Sequence, residues 1–430
     1  MIWKSFGLKT LPILIRPLKF KLMLKYILIF LFAFYAPSSF ADTKETYLQL
    51  SIFNEVYNRV KNQYVEELTD KELVEKAING MLQALDPHSS YMNEEVYKEM
   101  QMDTSGTFGG LGIEITTDKG FIKIISPIDD TPADKAGIQA GDYITHLNGE
   151  SVVDMNLKEA IDIMRGEVGT PITITIIRGA EEPFDVELIR DTIKMASVKH
   201  RVLNDVGVLR VSTFNEQTTS GLKDSIKELE EGENPPIGYV LDLRNNPGGL
   251  LTESVSVSDL FLEQGEIVSI RGREKKDVQV FSAKKGDLIN KKPLVVLINE
   301  GSASASEIVA GALQDHDRAV IMGIKSFGKG SVQTIVPIND GAIRLTIAKY
   351  YTPSGDSIQA VGIEPDVVVP RAELNIVDNY FTFRESDYKD ALDNETTDGS
   401  EEEATSTDIL EKDYQLSRAV DAVKTISVLN

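Results

Sequence analysis

The sequence predicts a multidomain α/β protein, because three different hydrophobic patterns follow one another along its 430 residues. In residues 42–100, apolar side chains recur at spacings of three and four, which is typical of helices. Short alternating strands replace them from Gly106 to about Arg190. From there to about residue 375, apolar runs alternate with helical stretches, which indicates a mixed α/β core. A chain of this length can bury two or three substantial cores.

The first 41 residues predict an export signal instead of a folded element. Residues 1–25 carry six basic groups and no acid, and the apolar run Tyr26–Tyr35 follows them. Ser39 and Ala41 then supply small residues three and one before a break, as a signal cleavage site requires. We therefore expect cleavage after Ala41 and an exported, periplasmic protein. Retention as an inner-membrane anchor stays open because the basic region is long, although the apolar run is short of the ~20 residues that span a bilayer.

The charge and the cysteine count exclude several functions. The full chain has a net charge of −22, and removal of the six basic residues of the signal leaves 39 basic against 67 acidic residues, a net charge of −28. Such a surface repels nucleic acid, so we expect no nucleic-acid partner. The absence of cysteine excludes disulfides, a cysteine nucleophile and thiolate metal sites.

Two helical stripes define the N-terminal region, residues 42–100. We expect a packed helical arm, since such stripes usually face a core, with a ligand-binding arm as the alternative. The stripes consist of Leu50, Phe53, Val56, Tyr57 and Val60, and of Leu73, Ala77, Met81 and Leu85.

Residues 101–190 follow the order of a known binding module. Phe108–Ile115 opens the region with a glycine turn, Leu157–Met164 has helical spacing, and Thr173–Ile176 alternates near the end. This order resembles a PDZ domain. By that resemblance, the carboxylate-binding loop is Gly110, Leu111, Gly112 and Ile113. Successive backbone N–H groups in such a turn can hold a terminal carboxylate while the neighbouring strand edge pairs with an extended peptide.

A run of small residues marks the candidate catalytic site in the core, residues 191–375. The apolar run Pro293–Ile298 predicts a strand, and Glu307–Leu313 has helical spacing. The serines of Ser302–Ser306 therefore lie on a strand-to-helix turn. A hydroxyl at a helix N-terminus faces free backbone N–H groups and the positive end of the helix dipole, which stabilise an oxyanion. By itself, the run is also compatible with an ordinary helix cap.

A serine nucleophile needs a neighbouring base, and lysine is the stronger candidate here. The four histidines, His88, His146, His200 and His316, are widely separated, and only His316 is near the serine run. Lys329 has no charged sequence neighbour within two residues, so burial can lower its pKa from about 10.4 towards about 7 to 8. A solvated Lys329 is the alternative.

Three motifs together resemble the C-terminal processing peptidases, also called tail-specific proteases. They are Ser302–Glu307, Phe327–Gln333 and Leu241–Leu250. The resemblance extends from about Leu85 to Asp366 and so covers most of the chain beyond the N-terminus.

The resemblance implies a role for each candidate site residue. The family's serine precedes its lysine by 25 residues, which assigns the pair to Ser304 and Lys329. Gln333 then orients the lysine, and the backbone N–H groups of Gly249 and Ala305 form the oxyanion hole. Arg165 resembles the arginine that couples tail binding to the protease in some members.

The expected function is that of an exported serine endopeptidase. Its PDZ domain would recognise unstructured, apolar C-terminal tails of protein substrates, and the serine–lysine dyad would cleave the chain. The family also implies self-association into a homo-oligomer and, for some relatives, an adaptor protein that delivers substrate. The alternative is an inactive periplasmic PDZ scaffold that only binds C-termini.

Neither a metal nor another cofactor is expected. Asp315 and Asp317 flank His316, but no second ligand cluster with metal-site spacing accompanies them. We interpret His316 as the polar end of a helix.

The C-terminal part, residues 376–430, predicts an acidic loop and a final helix. Glu385–Asp413 contains twelve acidic residues and two lysines, so its middle, around Thr396–Ser406, should be solvated. Leu416, Ala419, Val420 and Val423 then predict an amphipathic helix that packs on the core or on a second subunit.

Overall fold

The structure is a computed structural model that describes residues 40–118, 120–153, 155–339, 341–372, 410 and 412–429. Most of the predicted signal and most of the acidic stretch lie outside the described residues, and both stay predictions. The chain divides into two compact units, Met1–Met81 and Leu82–Asn430. No helix among the described residues has the length and apolar character needed to cross a membrane.

The helices of the first unit are α1 (Phe40–Gln63) and α2 (Asp70–Gln83). The last two residues of α2 belong to the second unit. Thr69 caps α2, because the Glu72 carboxylate accepts hydrogen bonds from both the N–H and the hydroxyl of Thr69. The expectation that the apolar stripe of α1 packs against a core is wrong. Leu50, Phe53 and Val56 are all more than half exposed.

The second unit begins with β1 (Ser90–Met92), α3 (Glu94–Ser105) and β2 (Thr107–Gly110). The spacing predicts that residues 42–100 are helical. The structure differs, because β1 interrupts the helices. Asp86 accepts hydrogen bonds from the N–H groups of His88 and Ser89, which forms a turn directly after α2. The chain then runs as a strand along a neighbouring sheet.

A small antiparallel sheet forms the module predicted to be a PDZ domain. Its strand order is β3-β4-β5-β7-β8, with β6 beside β5 and β3 at one edge. Isoleucines on alternate positions of β4 and β7 fill its core. Its elements are β3 (Ile113–Asp118), β4 (Phe121–Pro127), α4 (Pro132–Lys135), β5 (Tyr143–Leu147), β6 (Glu150–Ser151), α5 (Leu157–Met164), β7 (Pro171–Ile177) and β8 (Phe184–Ile189).

The rest of the second unit is a mixed α/β core, as the sequence predicts. Its elements in chain order are β9 (Asp191–Lys194), β10 (Val198–Leu203), β11 (Val206–Val211), α6 (Thr218–Glu231), β12 (Gly238–Asp242), α7 (Leu251–Asp259), β13 (Glu266–Gly272), β14 (Val278–Ser282), β15 (Leu294–Ile298), α8 (Ala305–Asp315), β16 (Val320–Gly323), β17 (Ser331–Ile338), β18 (Gly341–Tyr351), β19 (Val367–Val368) and α9 (Tyr414–Leu429).

Two larger sheets organise this core. The first has the order β10-β11-β12-β15-β16-β19 and is parallel except for β10. Helices α6, α7 and α8 pack on one face and α9 on the other, so every residue of β12 and β15 is buried. The second sheet is antiparallel and centres on β18, which pairs with β17 on one edge and with β1 and β13 on the other. The serine run and Leu243–Gly249 follow the carboxyl ends of β15 and β12.

Candidate active site

Ser304 lies in the turn between β15 and α8, as the sequence predicts. It is the residue before the helix, is almost buried, and has φ of 55° and ψ of −110°. A side chain other than glycine rarely adopts such a backbone, and strain of this kind clusters at functional sites. The two other serines of the run have structural partners, because Ser302 donates to the Leu243 carbonyl and Ser306 to the Asn246 carbonyl.

The buried carboxylate of Glu307 joins the serine turn to the lysine loop. Its Oε2 accepts the Ser304 N–H at 2.7 Å and the Lys329 N–H at 2.9 Å. Its Oε1 accepts the Gly328 N–H and the Ser326 hydroxyl, both at 2.6 Å. Charged acceptors make such bonds roughly twice as strong as neutral ones. One side chain thus fixes the backbones of both members of the predicted dyad.

Burial lowers the pKa of Lys329, and the positive charge of Arg344 lowers it further, against an opposing effect of Glu307. Among the described residues, the Lys329 ammonium has no ion pair or side-chain hydrogen bond. The imidazole of His88 is close enough for the Lys329 charge to contribute to a lowered His88 pKa, after burial as the main cause. The surroundings of Lys329 therefore favour the neutral amine, which is the form that can accept a proton.

Gln333 lies on β17, four residues after Lys329 in the chain, and pairs with Thr346 of β18. Its amide donates to the Ser331 hydroxyl at 2.9 Å and to the Thr346 hydroxyl at 3.2 Å. Thr346 donates in turn to Asp86 at 3.1 Å. Within the described part of the chain, Gln333 has no hydrogen bond to Lys329, so its predicted role in orienting the lysine stays a prediction.

The two N–H groups of the predicted oxyanion hole, those of Gly249 and Ala305, belong to two loops that approach each other at Ser304. Gly249 pairs in parallel with Phe214, which bonds to Gly248 and Leu250, so the Gly249 N–H points away from Phe214. The Ala305 N–H is in the first turn of α8, where such groups have no partner within the helix. A side chain at Gly248 would collide with Ser304 and the Ala305 nitrogen, which shows how closely the two loops approach. In the described residues, neither N–H has an acceptor.

The phenol of Tyr350 also lies at this site, although no sequence motif pointed to this residue. Burial raises the pKa of Tyr350, while a hydrogen bond with the Ser304 side chain lowers it. The tyrosine therefore stays neutral and offers a hydroxyl beside the serine.

A narrow cavity of about 130 Å³ corresponds to the predicted peptide-binding loop. Gly110, Leu111, Gly112 and Ile113 line it, together with apolar side chains from β3 and α5. The N–H groups of Leu111 and Gly112 have no acceptor among the described residues. Of the strands that the structure describes, only β4 pairs with β3, which leaves the other edge of β3 available to an extended peptide.

Comparison with known proteins identifies the families to which the two regions are similar. The PDZ domain model matches residues 123–178, and the model of peptidase family S41 matches residues 205–369. The carboxy-terminal-processing protease of Bartonella bacilliformis is 56% identical over 332 residues, which cover 76% of each chain. The chain belongs to peptidase family S41, the carboxy-terminal processing proteases. The resemblance predicted from the sequence is thus confirmed, and the enzyme is a serine-type peptidase with a PDZ domain.

Other similar proteins have lower sequence identity to the chain. The carboxy-terminal processing protease CtpA of Bacillus subtilis is 38% identical over 324 residues, which cover 75% of this chain and 68% of that protein. The N-terminal domain of the activating protease CtpB matches residues 36–96. A solved structure of the photosystem II D1 C-terminal processing protease is 29% identical and covers 74% of this chain and 92% of its own, with a TM-score of 0.44.

Arg165 of this S41 peptidase lines the cavity at the predicted peptide-binding loop, which we call the PDZ groove. It follows α5, and its guanidinium lies 4.5 Å from the centre of the Phe108 ring. Beyond Phe108 it lines a second small cavity with Glu99 and Asp103 of α3. A residue between groove and helix suits the predicted coupling role, which stays a prediction.

The histidine alternative does not fit the geometry. His316 ends α8, whereas Ser304 precedes its first residue. At a rise of about 1.5 Å per residue, the two are separated by roughly 17 Å. The His316 ring is paired with the Glu266 carbonyl at 2.7 Å.

Proposed function

We propose that this carboxy-terminal processing protease cleaves peptide bonds with a Ser304–Lys329 dyad. The Ser304 hydroxyl attacks the scissile carbonyl while the neutral Lys329 amine accepts its proton. The lysine then gives that proton to the leaving amine and later deprotonates the water that hydrolyses the acyl-enzyme. In this proposal Gln333 positions the lysine, and the Gly249 and Ala305 N–H groups stabilise the oxyanion. Loss of one such donor typically costs about 10² to 10³ in rate.

The Glu307 carboxylate is the observation that supports this proposal most strongly. It binds the Ser304 and Lys329 backbones through a single oxygen atom, so the two residues are fixed as a pair. The neighbouring serines do not compete for the role, because both hydroxyls donate to buried backbone carbonyls.

Substrate selection follows from the PDZ groove in the same proposal. A terminal carboxylate would bind the free N–H groups of Leu111 and Gly112, and the tail would extend β3 as an added strand. The last side chain would enter the cavity between β3 and α5. Because that cavity is lined by apolar residues such as Ile113, Ile161 and Met164, apolar tails should bind best.

The location and assembly of the enzyme also belong to the proposal. The basic and apolar segments of residues 1–41 support export to the periplasm. The exposed apolar side chains of α1 support a homo-oligomer, since exposed patches of this kind usually mark an interface. An adaptor protein is expected from the family resemblance alone.

Digestion of an unfolded reporter with an apolar free C-terminus tests the dyad. The chain from residue 42 should cleave it, and neither Ser304→Ala nor Lys329→Ala should. The matched controls are Ser220→Ala on an exposed helix face and Lys325→Ala, whose ammonium pairs with Glu364 at the surface. Cleavage by a folded Ser304→Ala variant would contradict the dyad. Tail binding without cleavage by the parent would favour the scaffold alternative.

A further inference from the structure

A second cavity of the protease core lies at the carboxyl edge of the parallel sheet. Its volume is about 720 Å³. Arg210 and Asp242 line it from the ends of β11 and β12, Asn299 from the loop after β15, and Gln415 from the start of α9. Ligands of open α/β sheets characteristically bind outside the carboxyl ends of the strands. We call this cavity the basic cleft.

Positive charge is concentrated in the basic cleft, although the chain as a whole has a net charge of −22. Its lining contains five basic and three acidic side chains: Arg201, Arg210, Arg244, Arg371 and Lys412, against Asp242, Glu300 and Asp413. Walls of one sign focus the electrostatic potential and attract ions of the opposite sign.

Two of the acids are already engaged by two of the arginines. Arg244 forms ion pairs with Asp242 and with Asp413, each at 2.8 Å, and Arg210 pairs with Asp242 at 3.0 Å. Arg244 also donates to the Gln415 side chain at 3.2 Å. This network is largely buried and holds the wall of the cleft in place, since such groups are stable only when fully paired.

Arg201 and Arg371 have no such partners. Both are exposed, and within the described residues neither forms an ion pair or a side-chain hydrogen bond. Each guanidinium has five N–H donors in a planar fork that matches the oxygens of phosphate or carboxylate groups. Two of the three lining acids, Asp242 and Asp413, already form ion pairs with Arg210 and Arg244. The charge of Arg201 contributes to the lowered pKa of Asp413 without forming an ion pair with it.

The cleft is distinct from the proposed catalytic residues but close to their loops. Asn245 and Asn299 pair across its lining, with the Asn299 amide donating to the Asn245 side chain at 2.8 Å. The chain continues from Asn245 to Gly249 and from Asn299 to Ser304. None of the proposed dyad, oxyanion-hole or groove residues lines the cleft.

We propose that the basic cleft binds a small soluble molecule that carries two or more oxyanion groups, with Arg201 and Arg371 as its main contacts. Bidentate pairing with the guanidinium forks supplies the affinity, and the Arg244 network orients the wall. Phosphate and carboxylate groups share this chemistry. The site is separate from the PDZ groove, which we assign to a single terminal carboxylate.

Calorimetric titration of the full chain with inorganic pyrophosphate, and separately with citrate, tests the site at constant ionic strength. At least one probe should bind to the parent, and the tighter one identifies the phosphate or the carboxylate class. The double variant R201Q/R371Q should weaken binding by about tenfold or more, because charge-assisted hydrogen bonds are lost. R273Q/R418Q removes the same charge from arginines outside the cleft and should retain parental affinity.

Reporter cleavage at the parental rate will show that R201Q/R371Q is folded, and the single variants R201Q and R371Q repeat the test with a smaller change. Absence of binding to the parent by both probes would overturn the proposal. So would an equal loss in R201Q/R371Q and R273Q/R418Q, because the effect would then come from net charge and not from the cleft.

Discussion

The turn around Ser304, which we call the catalytic turn because of its proposed role, and the PDZ groove differ in how they are built to bind a substrate. At the catalytic turn, one buried carboxylate fixes four donors within 2.9 Å, and the key side chains lie on strained or buried backbone. In the groove, two backbone N–H groups and an open strand edge face a small apolar cavity. Chemistry requires atoms placed to within a fraction of an ångström, whereas tail capture tolerates many sequences. Substitutions should therefore affect rate at the first site and affinity at the second.

The pH dependence of cleavage should show the largest effect. Burial lowers the pKa of Lys329 below its usual value of about 10.5, and only the neutral amine can accept the serine proton. Below that lowered pKa, kcat/KM should fall by about tenfold for each pH unit, since the neutral fraction falls by that factor. A kcat/KM that shows no rise with pH anywhere below about pH 10.5 would contradict a lysine base with a lowered pKa. The measurement is a pH profile on one short peptide.

The lowered pKa of Lys329 should also make the free energy of unfolding depend on pH, with a sign that can be predicted. Because the pKa of Lys329 is lower in the folded state, the unfolded state binds more protons between the two pKa values, and stability rises with pH there. Below the folded pKa the full cost of a buried charge remains. Lys329→Met should therefore raise the melting temperature at neutral pH and lose this advantage above about pH 10.5. Lys325→Met at the surface should show no such pH-dependent gain.

Glu307→Gln should reduce kcat by about 10², the next largest effect. In the parent, the two carboxylate oxygens of Glu307 accept hydrogen bonds from four donors. In the variant, an NH₂ group replaces one oxygen and faces donors whose hydrogen bonds it cannot accept, so the Ser304 and Lys329 backbones would separate. Glu364→Gln, at an exposed ion pair, is the matched control. Steady-state kinetics and a thermal melt measure the two consequences. A folded Glu307→Gln variant with kcat within about twofold of the parent would refute the role of this carboxylate.

Glu307 also illustrates which parts of the site were accessible from the sequence. The strand–turn–helix around Ser304 was predicted, because the apolar run of β15 and the spacing of α8 are local patterns. The partners of Glu307 were not, since a glutamate three residues into a helix ordinarily caps only its own N-terminus. Tyr350 and Thr346 were also not predicted. Their positions at the site depend on how β18 pairs with β17, and a single sequence does not reveal such long-range register.

Solvent exposure was the least predictable property of the fold. The apolar stripe of α1 has the spacing of a packed helix, yet Leu50 and Phe53 are exposed. The equivalent stripe of α9, with Leu416 and Val420, is buried against the parallel sheet. Spacing predicts that a helix has an apolar face but not which element, if any, covers it.

Thr346→Val should reduce kcat by about tenfold without changing KM. It removes the oxygen that accepts from Gln333 and donates to Asp86, so the Gln333 amide, which we propose positions Lys329, loses one of its two fixed contacts. Thr346→Ser keeps the hydroxyl and should retain most of the activity. If Thr346→Ser and Thr346→Val are equally impaired, packing on β18 and not the hydrogen bond is responsible. Separate determination of kcat and KM makes this distinction.

Ile161→Asp should have the smallest effect and the clearest contrast with the catalytic variants. Ile161 of α5 lines the groove cavity, and a carboxylate there would repel a terminal carboxylate and place charge against an apolar tail. We expect KM for a tailed reporter to rise by roughly three- to tenfold, because about 1 kcal/mol of binding is lost, with kcat on a short tailless peptide unchanged. Lys158→Gln on the exposed face of the same helix makes the same one-unit change in net charge and is the control. A fall in kcat on the tailless peptide would mean that the groove also acts on the catalytic turn. The assignment of rate effects to one site and affinity effects to the other would then be wrong.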